Sequence, residues 1–218
     1  MSPPASAADR IRTHLDRVHQ LRQQARSEGL DAAVTEVKEL QAQRFRATYA
    51  DLIQDPASAP ATRFFLEELY GVHDFARRDA QFGRIAGAVE RLFPEAVAQL
   101  AVDLAETHAL TEVLDHKLAR HWLTQDPGMA PALRYTLSWR LASDRPARER
   151  QLAVVQDMGL ELQRLTRKKS LRLALRMMRN PARAAGLDSL QHFLESGFDA
   201  FATLGDARRF LDTISDRE

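Results

Sequence analysis

Apolar residues recur along this chain three and four positions apart, and no run alternates apolar with polar long enough to make a strand. From Ser6 the pattern S-x-x-D reads as a helix cap, and Ile11, Leu15, Val18, Arg22 and Ala25 follow along one thin edge. Gly29 ends that helix, and Asp31 caps a second that runs to about Ile53 and carries Val34, Val37, Phe45, Tyr49 and Leu52. The first helix is polar enough to lie on a surface or against another subunit. The stretch DPASAPAT, residues 55–62, breaks the period and turns the chain. Beyond it the spacing predicts helices over residues 61–70 and 77–93, with a turn at 71–74 between them, then a long helix from Pro94 to about Leu123. DPG at 126–128 stops the long helix. Helices follow over 130–141, from Pro146 toward Lys169, and over 170–179, the last halted by Asn180 and Pro181. Asp188 then opens an amphipathic helix with Leu190, Phe193, Leu194, Phe198, Phe201 and Leu204, and Phe210, Leu211 and Ile214 mark a terminal one. The expected fold is all-α, a single-domain bundle of about eight to ten helices. Residues 1–5 read as a disordered leader. Residues 6–54 read as an N-terminal hairpin packed on the surface or on a partner, and 61–218 as the core bundle.

Composition sharpens that picture. Leu and Ala far outnumber Val and Ile, which is helix-former usage, and 218 residues suffice for a sizeable core. A net charge of +1 excludes a whole-molecule field that would gather nucleic acid, so any basic preference is local. The chain has no cysteine, which excludes disulfides, thiolate catalysis, zinc-thiolate sites, iron-sulfur clusters and c-type haem. The start, MSPPASAADRIR, has no basic-then-apolar signal, and no segment is apolar enough to cross a bilayer, so a cytoplasmic location is expected.

Candidate chemistry begins on the long helix. At about 100° per residue, His108, Thr111 and Asp115 fall on or beside the stripe of Val97, Leu100, Leu104, Leu118 and Trp122. Glu112 stands one turn from His108. An imidazole and a carboxylate turned inward must be paired, since bare burial costs several kcal/mol. Two readings stand: a ligand or proton-transfer site with His108 oriented by Asp115 or Glu112, and a satisfied core network. A di-iron bundle needs Glu-x-x-His pairs, and no Glu here has a His three residues on. His116 and His121 point away from His108 on the same wheel and read as surface or rim residues. A non-covalent haem asks for one axial His, His108 or His73, between Phe walls, and a lone histidine is too little to carry it. No metal site, catalytic residue or cofactor is assigned.

The segment RFFLEELYGVHDFARRD, residues 63–79, packs Phe64, Phe65, Tyr70 and Phe75 among acids and bases. Glu68 in a helix buried nearly all round needs a cation, with Arg77 or Arg78 nearest after the turn, and Glu68, Tyr70 and Asp79 are candidates to face a ligand. Residues 163–183, QRLTRKKSLRLALRMMRNPAR, contain no acid. Arg164, Lys168, Arg172, Arg176, Arg179 and Arg183 make a slowly turning stripe that Arg167 and Lys169 widen, opposite Leu171, Ala174, Leu175 and Met178. That anion-seeking surface suits acids of this chain or its twin, nucleic-acid phosphate, or an anionic membrane face. No helix-turn-helix signature and no interleaved aromatics favour nucleic acid.

Nucleophile elbows, phosphate loops, dinucleotide glycines and His-Glu-x-x-His are all missing. The run FFLEELYGVHDFARRD at 64–79, with RFRATYADL at 44–52 and LAETHALTEVLD at 104–115, resembles a family of uncharacterised proteobacterial helical proteins, a domain of unknown function. The resemblance implies a bacterial cytosolic helical protein and carries no activity, cofactor or catalytic residue. Three functional expectations result. The first is a non-enzymatic interaction or regulatory protein that binds a protein partner or its own copy. The second is a small-ligand or metal-binding protein, enzymes included, centred on His108, Asp115 and Glu68. The third is a nucleic-acid or membrane-surface binder acting through residues 164–183.

Overall fold

The computed structural model describes residues 5–69, 71 and 75–218, and every regular element among them is helical. The helices are α1 (Ala7–Glu28), α2 (Asp31–Thr48), α3 (Ala50–Gln54), α4 (Ala59–Phe64), α5 (Ala76–Leu92), α6 (Glu95–Thr124), α7 (Pro131–Leu141), α8 (Arg145–Thr166), α9 (Lys169–Met177), α10 (Arg179–Ala184), α11 (Asp188–Thr203) and α12 (Ala207–Arg217). Three of these, α3, α4 and α10, have only five or six residues, which is why the count exceeds the eight to ten read from the sequence.

Local signals set the ends. The Ser6 hydroxyl accepts from the Asp9 N–H at 3.2 Å, and Gly29 closes α1 in the left-handed region at φ 68°. Asp144 caps α8 through the Ala147 N–H at 3.2 Å, and Asp206 caps α12 through the Arg209 N–H at 3.1 Å. The helix expected over 61–70 is different in kind: α4 passes into a π-helical turn, Phe65–Leu69. The wider turn sends Phe65 into the core, its ring 5.8 Å from Phe201 and 6.0 Å from Phe210, while Leu66 faces a cavity. Tyr70 and the expected 71–74 turn, save Gly71, lie outside the described residues.

The 30-residue α6 is the axis, with α1, α2, α5, α7 and α8 packed around it. The thin apolar edge of α1 lies along α5 and α6, where Ile11 and Val18 are closed off from solvent. This enclosure also buries His116, expected at the surface, because α1 covers that side of α6. Two apolar clusters form along the axis. The larger joins Leu15, Phe64, Phe65, Phe82, Val102, Phe193, Phe201 and Phe210; the smaller joins Val37, Leu118, Ala119 and Trp122. Between them α6 presents Thr107, His108, Thr111, Glu112 and Asp115, all buried. A polar layer thus separates two oily ones.

Candidate functional site

Charges in the polar layer come from four helices and the π-helical turn, and they form a chain. Arg78, from the first turn of α5, donates to the Glu68 backbone carbonyl at 2.8 Å and lies 3.7 Å from that residue's carboxylate. Its guanidinium also covers the Phe75 and Phe193 rings, at 4.1 and 4.8 Å. Its Nη2 reaches Asp79 Oδ1 at 3.8 Å. Asp79 Oδ2 accepts from His108 Nε2 and from Arg22 Nη1, each at 2.9 Å. The imidazole Nε2 therefore carries the proton of that bond, and the Phe75 ring meets the imidazole edge to face at 6.0 Å. Arg22 continues to Glu112 at 3.7 Å, Lys38 holds Glu112 Oε1 at 2.8 Å, and the chain ends with Lys38 at 4.0 Å from Asp115 Oδ2.

Burial raises the pKa of Asp79 and Glu112, but close cations and hydrogen bonds outweigh it. His108, Arg22 and Arg78 hold Asp79 below its ordinary value, and Lys38, His108 and Arg22 do so for Glu112. Asp115 goes the other way. Burial pushes its carboxyl up to about 6, and Glu112 adds to the rise. At 4.0 Å Lys38 is beyond hydrogen-bonding range, and Asp115 Oδ2 has no hydrogen-bond partner among the described residues. Gln41 of α2 stands between Asp115 and Tyr135 and hydrogen-bonds to both.

On the far side of Asp115 lies a cavity of about 660 Å³, bounded by α2, α3, α4, the π-helical turn, α6, α7, α8 and α12. Its walls are largely aromatic and aliphatic: Phe45, Phe65, Leu114, Trp139, Leu152, Phe210 and Ile214. Most polar groups around it already have partners. Arg44 and Tyr49 hold the Glu218 carboxylate at 2.7 and 2.8 Å, Arg145 holds Glu149 at 2.6 Å, and Asp144 pairs with Lys117. Gln151 donates to the Thr111 hydroxyl at 2.7 Å, and that hydroxyl donates to the Thr107 carbonyl. Arg148 is different. It lies over the Trp139 ring at 4.7 Å with its Nε buried and unpartnered, and burial pulls its pKa below the ordinary value.

His108, Glu112 and Asp115 therefore meet, with Glu68 joined through Arg78 and Asp79, and Tyr70 lies outside the described residues. Of the four placed, only Asp115 lines the large cavity. His108 and Glu112 line a space of about 10 Å³ behind it, the size of one water molecule. Among the described residues no three His, Asp or Glu side chains are grouped to hold a metal ion, because cations alternate with the acids. The sequence reading named Asp79 beside Glu68 and missed Arg22, Lys38 and Arg148 as members of the site. Arg22 carried a signal, since it occupies a position on the apolar edge of α1.

In the basic segment, Arg164 pairs with Glu161, Arg172 with Asp199 and Arg179 with Glu195. The side chains of Arg167, Lys168, Lys169, Arg176 and Arg183 make no hydrogen bond or ion pair with described residues. Beside them Leu173 and Met177 are 60% and 69% exposed. No described helix is long and apolar enough to cross a membrane.

A family model described as a domain of unknown function, DUF8198, matches residues 20–218. No curated protein and no solved structure matches the chain.

Proposed function

We propose, for a chain that belongs to the DUF8198 family of unknown function, that this domain binds a small organic molecule in the cavity beside Asp115. The observation that carries the reading is a cavity of about 660 Å³ with apolar walls and two polar groups, Asp115 and Arg148, left without hydrogen-bond partners at a buried atom. Small-molecule pockets run to roughly 300–1,000 Å³ and combine such walls with a few convergent polar groups. The histidine-centred acid–base role weighed from the sequence is not part of the proposal, because His108 faces only the water-sized space.

Leu152 lines the cavity and is half-buried, so Leu152→Trp fills it with little disturbance elsewhere. The dye 1-anilinonaphthalene-8-sulfonate should fluoresce with the wild-type protein and lose most of that signal with Leu152→Trp at unchanged helicity. Native mass spectrometry of protein from its own host should show a small-molecule adduct that the variant lacks. Equal dye signals, together with a bare chain mass in both proteins, would end the proposal.

A second reading rests on α9. Leu173 and Met177 are exposed beside Lys169 and Arg176, which make no ion pair with described residues, and such a mix of apolar and basic groups is the surface of a helix that settles into an anionic bilayer face. It keeps an interaction role open alongside ligand binding. Sedimentation with phosphatidylserine vesicles, weakened by salt and by Leu173→Ser with Met177→Ser, is expected. Equal recovery with pure phosphatidylcholine vesicles would remove this reading.

A further inference from the structure

The charged chain through the bundle is not matched equally along its length. Four carboxylates, Glu68, Asp79, Glu112 and Asp115, alternate with three cations, Arg78, Arg22 and Lys38. The least well matched is the last, Asp115, because both Asp79 and Glu112 have a cation within 2.9 Å and Asp115 has none closer than 4.0 Å. Asp115 is also the only member of the chain that lines the large cavity.

The opposite sign faces it from α8. Arg148 has no ion pair among the described residues, its Nε is buried without a hydrogen-bond partner, and the acidic groups near enough to act on its charge are Tyr135, Asp115 and Asp144. The other charged groups around the cavity, Arg44, Glu218, Arg145, Glu149 and Asp144, are already paired. By elimination, a poorly matched carboxylate and an unpaired guanidinium line one cavity whose other walls are largely apolar or carry polar groups that already have partners.

We propose that the ligand carries an amphoteric head on an apolar body, the chemistry of an apolar α-amino acid or a close derivative. Its ammonium faces Asp115, its carboxylate faces Arg148, and its body lies against Phe45, Phe65 and Phe210. This rests on the cavity reading above. A cation alone would satisfy Asp115 and leave the buried Arg148 Nε unmatched, and an acid alone would do the reverse; only a head with both charges removes both costs. The Trp139 face, already under the guanidinium, holds Arg148 in place for a planar carboxylate.

Three probes share an indole ring and differ in the head: L-tryptophan, tryptamine and indole-3-propionate, each titrated calorimetrically at pH 7.5. L-Tryptophan should bind at least tenfold more tightly than either of the others. Asp115→Asn should bring tryptophan down to the level of indole-3-propionate and leave the latter unweakened. Arg148→Gln should bring it down to the level of tryptamine. Three equal affinities that Leu152→Trp abolishes would overturn the head assignment and leave the cavity reading intact. Binding of the dye with none of the three probes bound at millimolar concentration would also overturn the head assignment. Failure of dye and probes alike would overturn both.

Discussion

Replacing Asp115 by Asn removes one ionisation while keeping the shape of the side chain. Burial moves this carboxyl from 3.8 to about 6, with Lys38 of α2, Glu112 of α6 and Arg148 of α8 as the charges that face it and Gln41 as its hydrogen-bonding neighbour. A folded value above the unfolded one means that the native chain holds this proton more tightly. The group's contribution to stability is therefore fully present below about pH 3.8 and is lost as pH rises through about 6. At about 1.4 kcal/mol per pKa unit, the ionised carboxylate costs the native state about 3 kcal/mol at pH 7.5. A chain of this length gains about 2–4 °C per kcal/mol, so Asp115→Asn should melt about 6–12 °C above the wild type at pH 7.5. Near pH 4 the two should agree within a degree or two, because both side chains are then largely neutral. Scanning calorimetry from pH 4 to pH 8 at constant ionic strength reads the difference directly. An Asn variant less stable than wild type at pH 7.5, or a gap that stays the same across the range, would refute the reasoning.

The remaining predictions concern the packing around that site. Arg22→Ala takes a cation from between Asp79 and Glu112 and should cost about 3 kcal/mol in urea unfolding at pH 7, since it strands buried carboxylates; a loss below about 1 kcal/mol would mean that Arg22 is a surface charge only. Asp79 and Glu112 have depressed pKa values, so their contribution is present above the ordinary carboxyl range and fades as pH falls through the depressed values. Asp79→Asn should accordingly destabilise at pH 7 and lose most of its effect in strong acid, as read by urea titrations at both pH values. Gly197→Ala places a Cβ 2.8 Å from the Phe64 ring, which is held against Phe193 and Phe65. It should lower stability by about 1–3 kcal/mol despite alanine's better helix propensity, and a rise in melting temperature would contradict the packing described.

The helices were readable because their ends are written in local chemistry: Ser6, Gly29, Asp31, Pro146 and Asp188 all sit at or within a residue of the boundaries found. Helical period alone put His108, Thr111 and Asp115 inward on α6, and all three are buried. The partners of that stripe were not readable in the same way. Asp79 and Lys38 lie 29 and 74 residues from the side chains they bind, and spacing says nothing about which helix will lie beside which. The π-helical turn at 65–69 also eluded the period, because its one-residue excess is fixed by where the Phe65 and Leu66 side chains find room. The cavity is further still from sequence. It is a space that eight elements fail to fill, and Tyr135, Trp139 and Arg148 become its walls only once α7 and α8 have folded across α6.

Greasy contacts are forgiving: a leucine stripe slid by one turn along its neighbour still finds leucines and alanines to touch. The alternation of signs through Arg78, Asp79, Arg22, Glu112 and Lys38 is not, for a slide of 5.4 Å would set like charge against like. The middle layer thus acts as a ratchet tooth that allows a single alignment of α1, α2, α5 and α6. In a saturation library scored for folded protein, apolar exchanges at Val102, Leu118 or Phe201 should be tolerated singly, whereas substitutions at these five positions should survive only as matched sets.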